Sequence, residues 1–265
     1  MARIISSVIS LPIIFAVIYF GHNLHFLILL EIVIFIGLYE LYRMFEGGGL
    51  GCYKWTGIIL GLLIPISILK GSYFNTNLFV TLAIIIPFAL RILEGNTSGN
   101  TSFYISNTIF GMLYVSWLAS HLLMIRMTDM GRELIFFILL IAWIGDTAAY
   151  YGGMRFGKHK LAPLISPGKT IEGAIAGLIG SICGALIAKF LFLNFNLPNA
   201  ILTGILVGIA GQLGDLSESL IKRNFQVKDS GSVIPGHGGM LDRIDSLLFA
   251  APVLYYYNEF VNFLK

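Results

Sequence analysis

The sequence runs to 265 residues, 57% of them apolar and only 12% charged, with a mean hydropathy of +0.84. A soluble domain is about half apolar and about a quarter charged, so this composition excludes a soluble globular protein and is too apolar for a disordered one. The 17 Lys and Arg against 14 Asp and Glu leave a net charge of +3, too small to mark a nucleic-acid binder.

Apolar stretches of about 20 residues cross a bilayer as helices. In chain order they are predicted at Ile4 to Phe20, Leu24 to Tyr42, Trp55 to Leu69, Phe74 to Leu93, Phe103 to Ile125, Leu134 to Tyr151, Ile171 to Phe195, Ala200 to Leu220 and Ile244 to Leu264. The expected fold class is therefore all-α, a polytopic membrane protein with about nine transmembrane helices. The first segment follows Arg3 but is too long for a signal-peptide core and has no small-residue cleavage site, so it is expected to stay. With nine crossings, 12 of the 17 Lys and Arg fall on the side of the N-terminus. Cytoplasmic loops are the ones enriched in these residues, which predicts a cytoplasmic N-terminus and an outside C-terminus in a cell (inner) membrane. Cys52 and Cys183 have neither disulfide nor metal-ligand spacing and read as inert.

The first five segments, within residues 1–133, read as scaffold. Glu31 and Glu40 on the second helix either line a cavity or, more simply, pair with a neighbouring helix or lie near the interface. The pattern changes over 134–265, where acids enter apolar runs. Asp146 interrupts the sixth segment; Asp215, Glu218, Ser219 and Lys222 share one face of the eighth helix; Asp242 and Asp245 open the ninth. Counting from the apolar ends, Asp146 and Asp215 each sit about 8 Å below the cytoplasmic rim. Carboxylates converging at one level call for cations, the alternative being structural ion pairs with Lys222, Arg223 and Arg243. The stripes Gly173/Gly177, Gly180/Gly184 and Gly204/Gly208 allow close helix approach, within the chain or between two copies.

Two polar connections accompany the acids. In Ser166-Pro167-Gly168-Lys169-Thr170 the glycine of a phosphate loop would have to stand at position 163, which is Pro, so this is no Walker motif. Ser166 is expected to cap a helix with Pro167 at its first position, and its free N–H groups with Lys169 alongside would suit a phosphate. Lys169 otherwise simply snorkels to the surface. The second connection, Arg223 to Leu241, is 19 residues long and holds Lys228, Asp229, His237, Gly238 and Gly239. A connection of that length is usually functional or disordered. His237 either donates to a phosphate oxygen or closes a turn.

Ser219, Lys222, Arg223, Lys228, Asp229, Gly231, Pro235, His237, Gly238, Gly239, Asp242, Arg243 and Asp245 together resemble the signature of the phosphatidate cytidylyltransferase (CDP-diacylglycerol synthase) family over 27 residues without a departure. Ser166 to Gly173 and Asp146 to Gly153 are also similar to family segments, so the resemblance covers about the last 120 residues. It implies attack of phosphatidate on the α-phosphorus of CTP, giving CDP-diacylglycerol and pyrophosphate, with Mg²⁺ and room for a second cation. A phosphate monoester is already largely ionised near pH 7, its second pKa being about 6, so no general base is needed. On this reading Asp215 and Asp242 are expected to coordinate metal directly, with Asp146, Glu218 and Asp245 as further ligands. Lys169, Lys222, Arg223, Lys228, His237 and Arg243 are expected to hold phosphates, and Ser166, Thr170, Ser219, Asp229, Gly238 and Gly239 to line the nucleotide. The expected partners are CTP, phosphatidate, the lipid bilayer and, by resemblance to the family, a second copy in a homodimer, with no nucleic acid. A transporter or cation channel would also place acids in the membrane but usually shows repeated halves, which are not visible here. A CTP-dependent lipid kinase is the nearer rival, and its products differ.

Overall fold

The computed structural model describes residues 2–71, 73–95, 100–193, 195–231 and 238–263. The apolar runs form helices, and so do polar residues at their ends. They are α1 (Ala2–Phe20), α2 (Asn23–Gly47), α3 (Lys54–Leu69), α4 (Tyr73–Leu93), α5 (Thr101–Gly111), α6 (Leu118–Arg126), α7 (Gly131–Phe156), α8 (Ile171–Leu191), α9 (Leu197–Asn224) and α10 (Leu241–Phe263). A π-helical turn, Met112–Trp117, joins α5 to α6, so that Thr101–Arg126 runs as one rod. Among the described residues six helices are long and apolar enough to cross a membrane: α2, Thr76–Leu93 within α4, Thr101–Arg126, α7, α8 and α9. The chain is thus an all-α polytopic membrane protein.

Two features differ from the expectations. Helices α7 and α9 continue ten and nine residues beyond Asp146 and Asp215, which puts those acids roughly 15 and 14 Å from the helix ends rather than about 8 Å. An apolar scan sees the part of a helix in lipid and stops where its polar tail begins. Ser166, expected to cap a helix, instead opens a strand. Here β1 (Lys160–Ala162) pairs antiparallel with β2 (Ser166–Thr170), in the register Lys160 with Thr170 and Ala162 with Ser166. The cap of α8 is Thr170, whose Oγ1 accepts from the Gly173 N–H at 3.1 Å. Thr170 offers the same capping chemistry as Ser166 at the last residue of the strand, where the helix can follow directly, so strand pairing decides between them.

The chain packs as two compact units, each discontinuous in sequence: residues 1–127 with 224–243, and 128–223 with 244–265. In the first, Ile34, Leu38, Leu41, Tyr42, Ile64, Met112 and Leu123 are buried. The Tyr42 hydroxyl donates to the Thr108 carbonyl at 2.8 Å across the core, in space left by Gly57 and Gly111. In the second, the glycine stripes serve packing within the chain. A Cβ on Gly180 would lie 2.5 Å from Ala148 Cβ and one on Gly208 2.7 Å from Ser181 Cβ, so α8 lies backbone-close to both α7 and α9.

Candidate active site

In the second unit α7, the β hairpin, α8 and α9 enclose a cleft of about 470 Å³. Asp146 and Tyr150 enter from α7, Leu161 from β1, Ser166 and Lys169 from β2, and Gln212 and Asp215 from α9. The Lys169 Nζ lies 2.6 Å from Asp215 Oδ2, with side chains 28% and 38% exposed, so this pair is not sealed in the protein interior. Gln212 donates its Nε2 to the Ala174 carbonyl at 3.0 Å, which turns its amide oxygen away from that bond.

The hairpin carrying Lys169 is fastened at its base and at its turn. Glu172, in the first turn of α8, accepts from the backbone N–H groups of Lys158 and His159 and meets His159 Nδ1 at 2.6 Å. The Ile171 N–H donates to the His159 carbonyl at 2.9 Å. At the other end Arg223 Nε donates to the Ile165 carbonyl at 3.1 Å, and Lys160 Nζ to the Pro167 carbonyl at 2.8 Å. Arg223 thus anchors the turn, beyond the phosphate-holding part expected of it.

The acidic stripe of α9 is divided between two cations. Asp215 meets Lys169, whereas Glu218, 1% exposed, is paired one turn on with Lys222 at 2.5 Å. Asp245 on α10 comes near α9 because Gly214 lets the Asp245 carbonyl approach to 2.3 Å of where a Cβ would stand. Asp146, Asp215 and Asp245 lie within electrostatic reach of one another, with Lys169 acting on Asp146 and Lys222 on Asp245. Among the described residues no group of three or more His, Cys, Asp or Glu forms a ready-made ion cage. Mg²⁺ does not require one, since it is commonly held by one or two carboxylates together with water and substrate phosphates. The donor chemistry of Asp146 and Asp215 at the cleft fits such an ion.

In the first unit Ser230 and Gly239 to Leu241, from the described parts of the signature connection, gather around two carboxylates. Asp242 Oδ2 accepts from the Gly239 N–H at 2.8 Å and from the Ser230 N–H and Oγ, both at 3.1 Å. Glu40, 2% exposed on α2, accepts from Ser230 Oγ, Met240 N–H and Leu241 N–H, each at 3.0 Å. Gly238 has φ +78°, the left-handed region that favours glycine, and a Cβ on Gly239 would meet Ser230 Oγ at 1.9 Å and Glu40 Oε2 at 2.6 Å. The two glycines are therefore required by the turn itself. Lys228 and Asp229 lie in this connection and Arg243 in the first turn of α10, while His237 lies outside the described residues. Ser219 is buried on α9 beside Glu218.

Sequence reasoning did not single out Gln212, Ser230, Glu172 or His159. Gln212 had a signal, as it precedes Asp215 by three residues and extends the polar stripe one turn back. Outside the spans, the Cys52 thiol is pushed up to about 12, by burial first and then by the Glu46 carboxylate, against the opposing charge of Lys54. It stays protonated near neutral pH and supplies no nucleophile.

A polytopic helical membrane protein with a cleft that holds acids and a lysine belongs to the class of membrane-embedded proteins with a charged, open site. The cytidylyltransferase family profile matches residues 1–261, and the chain belongs to that family. It is similar to the phosphatidate cytidylyltransferase of Staphylococcus saprophyticus, 35% identical over 258 residues, 95% of this chain and 96% of that protein. It also matches the phosphatidate cytidylyltransferase of Staphylococcus aureus (strain COL), 52% identical over 126 residues, 47% of this chain and 48% of that enzyme. The uncharacterized protein YnbB of Escherichia coli is 43% identical over 152 residues, 57% of this chain and 50% of its own length. The matched stretch thus spans about half the length of the last two proteins and nearly all of the first. The family makes this chain a nucleotidyl-transferring membrane enzyme.

Proposed function

We propose that the chain transfers CMP from CTP to phosphatidate, giving CDP-diacylglycerol for phospholipid synthesis and releasing pyrophosphate. The observation that carries this reading is the Lys169–Asp215 pair in a cleft that also holds Asp146, a cation and two acids at a size that suits a small ligand. A phosphate oxygen of phosphatidate is ionised near pH 7 and attacks the α-phosphorus in line, breaking the bond to pyrophosphate. The chain's part is then positioning and charge neutralisation. Lys169 binds triphosphate when it leaves Asp215, and Lys222, Lys228 and Arg243 serve the remaining phosphate charge, with His237 as a further donor. Ser166, Thr170, Ser219, Asp229, Gly238 and Gly239 are proposed to line the nucleotide. Asp146 and Asp215 are the first candidates to hold Mg²⁺, with Asp245 beside them, and a second cation is part of the proposal. Asp242 and Glu218 remain proposed ligands, although each already engages protein groups. Bound there, Mg²⁺ would neutralise the charge that develops on the phosphates.

Nine crossings with the N-terminus and cleft cytoplasmic and the C-terminus outside, in a cell (inner) membrane, complete the reading. The Glu40 hydrogen bonds support that parity. They join the last turns of α2 to the start of α10, and six rods lie between, namely α3, α4, Thr101–Arg126, α7, α8 and α9. The two ends share a face only if an even number of these cross, which requires the short α3 to cross with the rest. A homodimer is the assembly proposed with it, and a monomer mass in native mass spectrometry would overturn that part.

The deciding experiment incubates the detergent-purified protein with phosphatidate, Mg²⁺ and CTP labelled separately at the α- and γ-phosphates. The α-label should enter lipid and the γ-label pyrophosphate, both prevented by EDTA. Transfer of γ-label to lipid would make the protein a kinase, and no transfer to any phosphorylated lipid would return the transporter reading.

A further inference from the structure

We infer that Glu40, on a helix of the N-terminal half, is a positioning residue for the reaction, holding Ser230, Met240 and the start of α10 in place; the inference rests on the transferase reading above. Its carboxylate is almost fully buried and accepts three hydrogen bonds, from Met240 N–H on Oε1 and from Leu241 N–H and Ser230 Oγ on Oε2. An ion buried this deeply is tolerated only when its oxygens are matched by donors. The donors come from a stretch about 190 to 201 positions away and include the first N–H groups of α10, where the helix dipole favours a negative charge.

Ser230 is the hinge of the arrangement. Its hydroxyl lies 3.0 Å from Glu40 Oε2 and 3.1 Å from Asp242 Oδ2, and a hydroxyl has one proton, so it donates to one carboxylate at a time. When Asp242 gives up that hydrogen bond to engage a cation or a phosphate-bound water, the Ser230 hydroxyl donates to Glu40, and Met240 and Leu241 stay fixed. Glu40 acts through these groups on the residues that Met240 and Leu241 carry with them, Asp242 and Arg243. A side chain at Gly231 or Gly239 would displace the carboxylate, its Cβ lying 2.3 Å from Oε1 or 2.6 Å from Oε2.

The test compares Glu40→Gln, Glu40→Ala, Ser230→Ala and the Glu40→Ala/Ser230→Ala double variant in the full-length detergent-purified protein. The readouts are kcat, KM for CTP and amide hydrogen exchange. Gln is nearly isosteric but in either orientation sets an NH₂ against a backbone N–H, that of Met240 or that of Leu241, so the expected order of kcat is wild type, then Gln, then Ala. Glu40→Ala is expected to lose about tenfold or more in kcat with KM for CTP changed less than about threefold. The double variant should fall no more than about threefold below the worse single one, because both act through one clamp. Exchange should rise in peptides covering 228–243 and stay unchanged in α7 and α8. A Gln variant equal to wild type, additive losses, or exchange rising throughout the protein would overturn the inference and leave Glu40 a packing residue. If the wild type transfers no label, the function reading fails on its own, and the exchange pattern still decides whether Glu40 holds the connection.

Discussion

Replacing Lys169 by Met separates its two readings, phosphate-binding group or surface lysine. Met keeps most of the length and removes the charge. The ion pair to Asp215 is partly exposed, 28% and 38%, and solvent screens it, so its contribution to stability is at most about 1 kcal/mol. For a chain of this size that is a fall of about 2–4 °C in Tm at most. Activity should respond far more. A preorganised cation facing charge that develops on a transferred phosphoryl group is worth about 2.7–4 kcal/mol, or about 10²–10³ in kcat. Lys169→Arg keeps the charge but spreads it over a planar fork with a different reach, and should fall between the two. The assay is incorporation of α-labelled CTP into lipid at saturating CTP, with thermal unfolding followed in the same detergent. A Met variant within about threefold of wild type in kcat would refute the role and return Lys169 to the surface.

Two further substitutions probe the framework and the thiol. Gly214→Ala places a Cβ 2.3 Å from the Asp245 carbonyl, a backbone atom that cannot yield, whereas Gly211→Ala meets nothing nearer than Ser246 Cβ at 3.7 Å. The first should cost about 1–3 kcal/mol and lower both Tm and turnover while the second stays near wild type, and equal behaviour would contradict the close approach of α9 and α10. In a Cys183→Ser background, Cys52 with its thiol at about 12 should react with a maleimide at pH 8 about 10³ times more slowly than a free cysteine, whose pKa is about 8.5. The rate should climb as pH rises toward 12, and labelling at the free-thiol rate would show the site open.

How much of this was legible in the sequence follows the range of each interaction. The helices were legible because lipid demands continuous apolar runs, and even the tight link of Gly21 and His22 between α1 and α2 falls within the gap left between the first two apolar segments. Their ends were not, because Gly152 to Phe156 and Ile221 to Asn224 continue the helices on backbone hydrogen bonds that apolar patterning does not report. The hairpin was obscured by a sound local signal. Ser166 and Pro167 read as a helix start, and only pairing with Lys160–Ala162 moves the cap to Thr170. The acids of α9 showed themselves by periodicity, yet their division between Lys169 and Lys222 depends on one contact within the helix and one from 46 positions upstream. Glu40 is the furthest case. It appears in sequence as one acid in an apolar helix, to be paired with some neighbour, and two of its three partners are backbone N–H groups, of Met240 and Leu241, whose identity leaves no trace in any side chain. A helix read as scaffold thus reaches the signature through two backbone N–H groups and one serine hydroxyl, contacts set by the fold and not by any pattern along the helix itself.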